Sequence, residues 1–84
     1  MTYMTALNYR KQCDQLRKDL KSIRFNMDLH KMLGNIEKMV TELSKLEVSC
    51  RHHTKQYQLE EPSKNIAQSI NHLEKLILMA RLMD

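Results

Sequence analysis

One glycine (Gly34) and one proline (Pro62) in a chain of 84 residues leave no material for repeated tight turns. Meanders and sandwiches of strands need a Gly, Pro or Asn/Asp corner every few residues. Leu, Met, Lys, Gln and Glu, which dominate here, are instead good helix formers. An all-α fold in a single domain over 1–84 is the expectation. Hydrophobic residues make up 42% of the chain, but with one Phe, three Tyr and no Trp the core they can build is thin, and such a fold is marginal when alone.

Apolar spacing divides the chain into three helical stretches. Ala6, Tyr9, Cys13, Leu16, Leu20, Ile23 and Met27 recur at alternating steps of three and four, which marks one stripe of a basic N-terminal helix over 1–27. A second stripe, Leu29, Met32, Leu33, Ile36, Val40, Leu43 and Leu46, predicts a helix over 29–48. At about 100° per residue the two stripes lie nearly opposite each other on an unbroken helix. Either the chain breaks near Asn26 to Asp28, with Asp28 capping a new helix, or one long helix faces two neighbours; the break is the preferred reading. Periodicity is lost from Ser49 to His53, so a turn belongs there, and Thr54 offers a hydroxyl to cap a third helix over 54–83. Pro62 fits the first turn of a helix starting at Glu61, or a kink in one starting at Thr54.

The third stretch carries Ile66, Ile70, Leu73, Ile77 and Ala80 on one stripe. Helices joined by a short turn pack antiparallel, so this stripe should meet Ile36, Val40 and Leu43 in a helical hairpin, with the N-terminal helix as an addition. The end of the stretch holds more apolar residues than a hairpin needs. Leu76, Met79 and Met83 form a second stripe about 100° away, and Leu78 and Leu82 lie on yet another side. An all-round apolar helix end in so small a chain needs something to cover it, so Leu76, Met79, Leu82 and Met83 are the expected partner-binding residues, with a homodimer through the same patch as the competing occupant. Met32 and Met39 are expected in the core, whereas Met79 and Met83 suit a core or an adaptable docking surface equally.

No catalytic, cofactor or metal site is expected. The four histidines do not cluster, and Cys50, His52 and His53 in the turn lack a second pair of ligands at workable spacing. There is no phosphate-cradling glycine loop, helix-turn-helix or aromatic-interleaved basic strand. The net charge of +4 sits in the N-terminal part: residues 1–31 hold seven Lys/Arg against three Asp, and residues 32–84 hold seven against seven. Asp14, Asp19 and Asp28 interrupt that basic segment, which reads as a solvated helix face before it reads as a nucleic-acid site. No apolar run approaches the roughly 20 residues that span a bilayer, and Met1 to Arg10 lacks the layout of a signal peptide, so a cytosolic location without membrane contact and reduced Cys13 and Cys50 are expected.

Leu43-Ser44-Lys45-Leu46, a short polar turn, Lys55-Gln56-Tyr57-Gln58, and then Ile66 and Ile70 with the apolar tail behind them carry a further signal. Over Leu29 to Asp84 this pattern resembles the small E component of the type III secretion needle chaperones, the YscE-like family. The resemblance implies a helical hairpin with Gln56, Tyr57 and Gln58 at the entry to its second arm. It also implies a larger, tetratricopeptide-like chaperone as partner and, through it, the needle subunit kept unpolymerised in the bacterial cytoplasm. The chain departs from that pattern at Pro62, inside the second arm, and in a longer N-terminal stretch for which the resemblance supplies no role. A co-chaperone is the expected function. The alternatives are a small regulator that binds nucleic acid through its basic N-terminal helix and a homo-oligomeric structural protein.

Overall fold

The computed structural model describes residues 5–50 and 57–83. Those residues form three helices, α1 (Ala6–Lys21), α2 (Met27–Cys50) and α3 (Tyr57–Met83), and no strand. Helices α2 and α3 make the hairpin, and α1 lies along it, touching α2 extensively and α3 less. The result is a rod of 48 × 19 × 16 Å.

The start of α1 is fixed from two directions. Thr5 is extended (φ −73°, ψ 160°) and its hydroxyl oxygen accepts the Asn8 N–H at 3.4 Å. The first turn of α1 contains no acidic residue, but Glu47 of α2 supplies one across the structure, its Oε2 accepting the Ala6 N–H at 2.9 Å. A carboxylate at the positive end of a helix is favourable, and this one also ties α1 to the far end of α2. The helix stops when Ser22 turns back: its N–H and its hydroxyl both donate to the Asp19 carbonyl, at 3.2 and 2.7 Å.

The phase jump between the first two stripes is thus a chain break, located at residues 22–26, and the first helix ends at Lys21 instead of running to residue 27. Asn26, not Asp28, is the cap of α2; its Oδ1 accepts the N–H groups of Asp28 at 3.0 Å and Leu29 at 3.3 Å. An Asx side chain at that position can reach forward to orphan donors, whereas Asp28 already lies inside the helix and contributes only its charge to the first turn. Met27, counted on the first stripe, opens α2 and is exposed.

The core follows the remaining stripes closely. Ala6, Tyr9, Cys13, Leu16 and Leu20 of α1 are buried, as are Leu29, Leu33, Ile36, Val40 and Leu43 of α2 and Ile66, Ile70, Leu73 and Ile77 of α3. Ile23, Met32, Met39 and Ala80 are partly buried against them. Leu46 is an exception, exposed near the end of α2. The N-terminal segment is therefore one wall of the core and not an appendage, although its Lys and Arg side chains remain outside.

Helix α3 runs unbroken through Pro62. Pro62, in the second turn, forgoes the bond its N–H would make to the Gln58 carbonyl, and its neighbour Ser63 is the one buried polar residue of the core among the described residues. The Tyr9 hydroxyl donates to the Ser63 carbonyl at 3.0 Å and shares a hydrogen bond with its hydroxyl at 2.8 Å. No buried side-chain polar atom among the described residues lacks a partner. Thr54 and Gln56 lie outside the described residues; Tyr57 and Gln58 form the start of α3.

Two stability outcomes follow from this packing. Ile70→Asp places a carboxylate in the α2–α3 seam at a cost of several kcal/mol against a total of roughly 5–15 kcal/mol, so far-ultraviolet circular dichroism should show loss of helicity; full helicity with an unchanged melting temperature would mean the stripes do not face each other. Gly34, in the interior of α2, has nothing within 4 Å of the position of an added Cβ. Gly34→Ala should therefore stabilise the protein by about 0.5–1 kcal/mol and raise its melting temperature by several degrees in a thermal scan.

Candidate protein-docking surface

The C-terminal half of α3 splits into sides with different fates. Ile77 is buried and Ala80 partly so against α2, while Arg81 turns to α1, its Nη2 donating to Asp19 Oδ1 at 3.4 Å and Ser22 Oγ at 3.1 Å. These contacts fix the rotation of the last turn and leave the opposite side outward. Leu82 is 81% exposed and Met83 86%, with Leu78 and Met79 each more than half exposed.

Leu76 differs from its stripe. It is partly buried and packs against the core, because its position, one residue before Ile77, points over the edge of α2. The four sequence-derived partner residues therefore comprise one at the rim of the core and three in the open. Two further apolar residues are exposed at this end of the rod: Phe25, which the periodicity misses, at 70%, and Met27, which it places on the buried stripe of the first helix, at 60%. Phe25 stacks on His30 with ring centroids 4.8 Å apart. Phe25 belongs to no helical stripe and Met27 falls on the first one by spacing, and the Arg81 contacts to Asp19 and Ser22 show that the residue 22–26 connection and the last turn of α3 share one end of the molecule.

A shallow groove of about 180 Å³ lies between α2 and α3, floored by Met32, Ile36 and Met39 and edged by Asn35, Ser69 and His72. A second cleft of similar size, between α1 and α2, is lined by Arg10, Cys13, Glu37, Val40 and Thr41. Cys13 is a free thiol, 1% exposed. Burial, with the Glu37 and Asp14 carboxylates adding to it, pushes its pKa above the ordinary thiol value, which is the reverse of what a nucleophile requires. Over the cleft mouth the Arg17 guanidinium bonds Glu37, which favours its charged form. No group of His, Cys, Asp and Glu among the described residues could hold a metal ion, and no helix there is long and apolar enough to cross a membrane. No family model, curated protein or solved structure matches the chain.

The different surroundings of Leu76 and Met83 are open to measurement. Leu76→Ala removes part of the core edge and should lower stability by about 1–2 kcal/mol, whereas Met83→Ala should change it by less than about 0.5 kcal/mol, read from urea unfolding followed by circular dichroism. Equal losses would place Met83 in the core as well.

Proposed function

We propose that this chain is a protein-binding co-chaperone that docks through the apolar end of α3 and catalyses no reaction. The observation that carries the reading is the exposure of Leu78, Met79, Leu82 and Met83 on one turn-and-a-half of a helix whose inner side is already satisfied by α1 and α2. A contiguous apolar patch is costly to leave in water, and covering each such side chain is worth roughly 1.5–3 kcal/mol before the entropy of association is subtracted. Methionine suits the task because its flexible thioether adapts to a partner's relief.

The resemblance to the YscE-like family gives this reading its finer form: a bacterial cytoplasmic protein that pairs with a larger, tetratricopeptide-like chaperone and, through it, holds the needle subunit of a type III secretion system unpolymerised. The hairpin that family requires corresponds to α2 and α3, and the exposed patch lies at the end of its second arm, α3.

Co-expression tests the proposal. The triple variant Met79→Ala, Leu82→Ala, Met83→Ala should keep its helicity and melting temperature, lose co-purification with the tetratricopeptide-like chaperone, and leave the needle subunit to aggregate. Retention of the complex would put the docking face elsewhere. Sub-micromolar DNA or RNA binding in a low-salt mobility shift, lost when Lys11, Lys18 and Lys21 are changed to Glu, would favour a nucleic-acid regulator instead. A stable oligomer of the chain alone, dispersed by the triple variant, would favour a homo-oligomeric structural protein.

A further inference from the structure

The hairpin has two long grooves, and α1 fills one of them. It meets α2 at Glu37 and Val40 and α3 at Ser63 and Arg81. The other groove lies on the reverse of the molecule: Met39 is about 160° round α2 from Glu37, and Leu76 about 140° round α3 from Ser63. Its walls have a regular spacing. Met32, Met39 and Leu46 stand seven residues apart on α2, and Ser69, Leu76 and Met83 stand seven apart on α3. Two antiparallel walls with a seven-residue repeat form the seat that a further helix takes in a four-helix bundle, because that repeat keeps one narrow face turned toward a neighbouring helix. α1 shows the form of an occupant, its buried residues falling at alternating steps of three and four.

The rim identifies the occupant's chemistry. Lys31, Lys38 and Lys45 each precede a groove residue of α2 by one position and are all exposed, and Lys75 does the same beside Leu76 on α3; exposed Asp28 and Glu42 share the α2 edge, which leaves the lysines in excess. Lys45 lies 3.6 Å from Glu42 in an exposed pair; the described residues give Lys31 and Lys38 no ion pair. A second copy of the chain would bring the same excess of lysines to this face, whereas an acidic helix would offset it. We infer that the groove between α2 and α3 on the face opposite α1 is the seat of a single amphipathic helix from a different protein, apolar at three- and four-residue steps and flanked by Asp or Glu on the side that faces α2. The inference rests on the protein-binding reading above and extends it from the end of α3 to the whole reverse face.

Two helical peptides of about 20 residues test it, long enough to follow the groove at 1.5 Å per residue. Both carry Leu at three- and four-residue steps; one is flanked by Glu and the other by Lys. With the full chain labelled at its methionine methyl groups, the Glu-flanked peptide should bind and shift the Met32 and Met39 resonances. The exposed triple variant Lys31→Glu, Lys38→Glu, Lys45→Glu should stay folded, bind that peptide about tenfold more weakly, and prefer the Lys-flanked one. Binding that is indifferent to this reversal, binding that leaves the Met32 and Met39 methyls unmoved, no binding, or a dimer of the chain alone whose contact includes those methyls would each overturn the inference. A natural partner that co-purifies with the lysine-reversed variant as well as with the parent chain overturns the groove and leaves the protein-binding reading standing. Failure to capture any partner, with the peptide preferences as expected, does the opposite.

Discussion

The reversal of the chain at residues 22–26 is the constraint on which the rest of the structure depends. Were the helix continuous, Leu16 and Leu20 would project nearly opposite Leu33 and Ile36, and no single neighbour could cover both sets. By stopping at Ser22 and starting again at Asn26, the chain folds α1 back so that both stripes share one core. The corner is held by short-range bonds, Ser22 to Asp19 and Asn26 to Asp28, and by the long reach of Arg81 from the last turn of α3. At the other end of the rod Glu47 receives the first N–H of α1. A two-helix hairpin without α1 would present Leu33 and Val40 to water, and a chain with one Phe and no Trp has little other apolar surface with which to compensate.

Specificity inside this core rests on one polar element. Aliphatic stripes tolerate sliding, since Leu, Ile and Val at heptad spacing fit neighbouring registers nearly as well. The Tyr9 hydroxyl does not, because it bonds the carbonyl and hydroxyl of Ser63 at 3.0 and 2.8 Å, and a shift of one turn would strip the buried Tyr9 hydroxyl of both bonds. Pro62 reinforces the same position by fixing the backbone immediately before Ser63. The Arg17–Glu37 pair, half in solvent, adds little energy of its own, and its role is better described as positional.

Periodicity made the helices and the core legible, because burial on a helix has a strict spacing: Ile36, Val40, Leu43, Ile66, Ile70, Leu73 and Ile77 are all buried as the stripes require. It failed where geometry is not periodic. The exchange of Asn26 for Asp28 as cap is a shift of two residues that both side chains could chemically support, and only the backbone decides it. Ser63 gave no sign of its burial, because a hydroxyl carries no apolar signal and its partner lies 54 positions away. Leu59, buried seven residues before Ile66, extends the third stripe back past Pro62, into a stretch where the sequence allows a helix start at Glu61 or at Thr54. Leu76 shared a stripe with Met79 and Met83, yet the width of α2 covers the first and not the others.

The uneven treatment of the two hairpin faces carries the functional argument further than the count of exposed residues does. On one face the chain supplies its own third helix, and among the described residues no buried side-chain polar atom lacks a partner, down to the Tyr9–Ser63 bond. On the other, at the same seven-residue spacing, it leaves methionines half covered and a row of lysines along the edge. A polar residue in place of Leu82 would cost the fold little, since that side chain is 81% exposed, whereas Met39 is partly buried against the core. Among the described residues the hairpin thus has one face covered by its own third helix and one face whose apolar residues are only partly covered, and the difference between the two lies in packing, not in helix spacing.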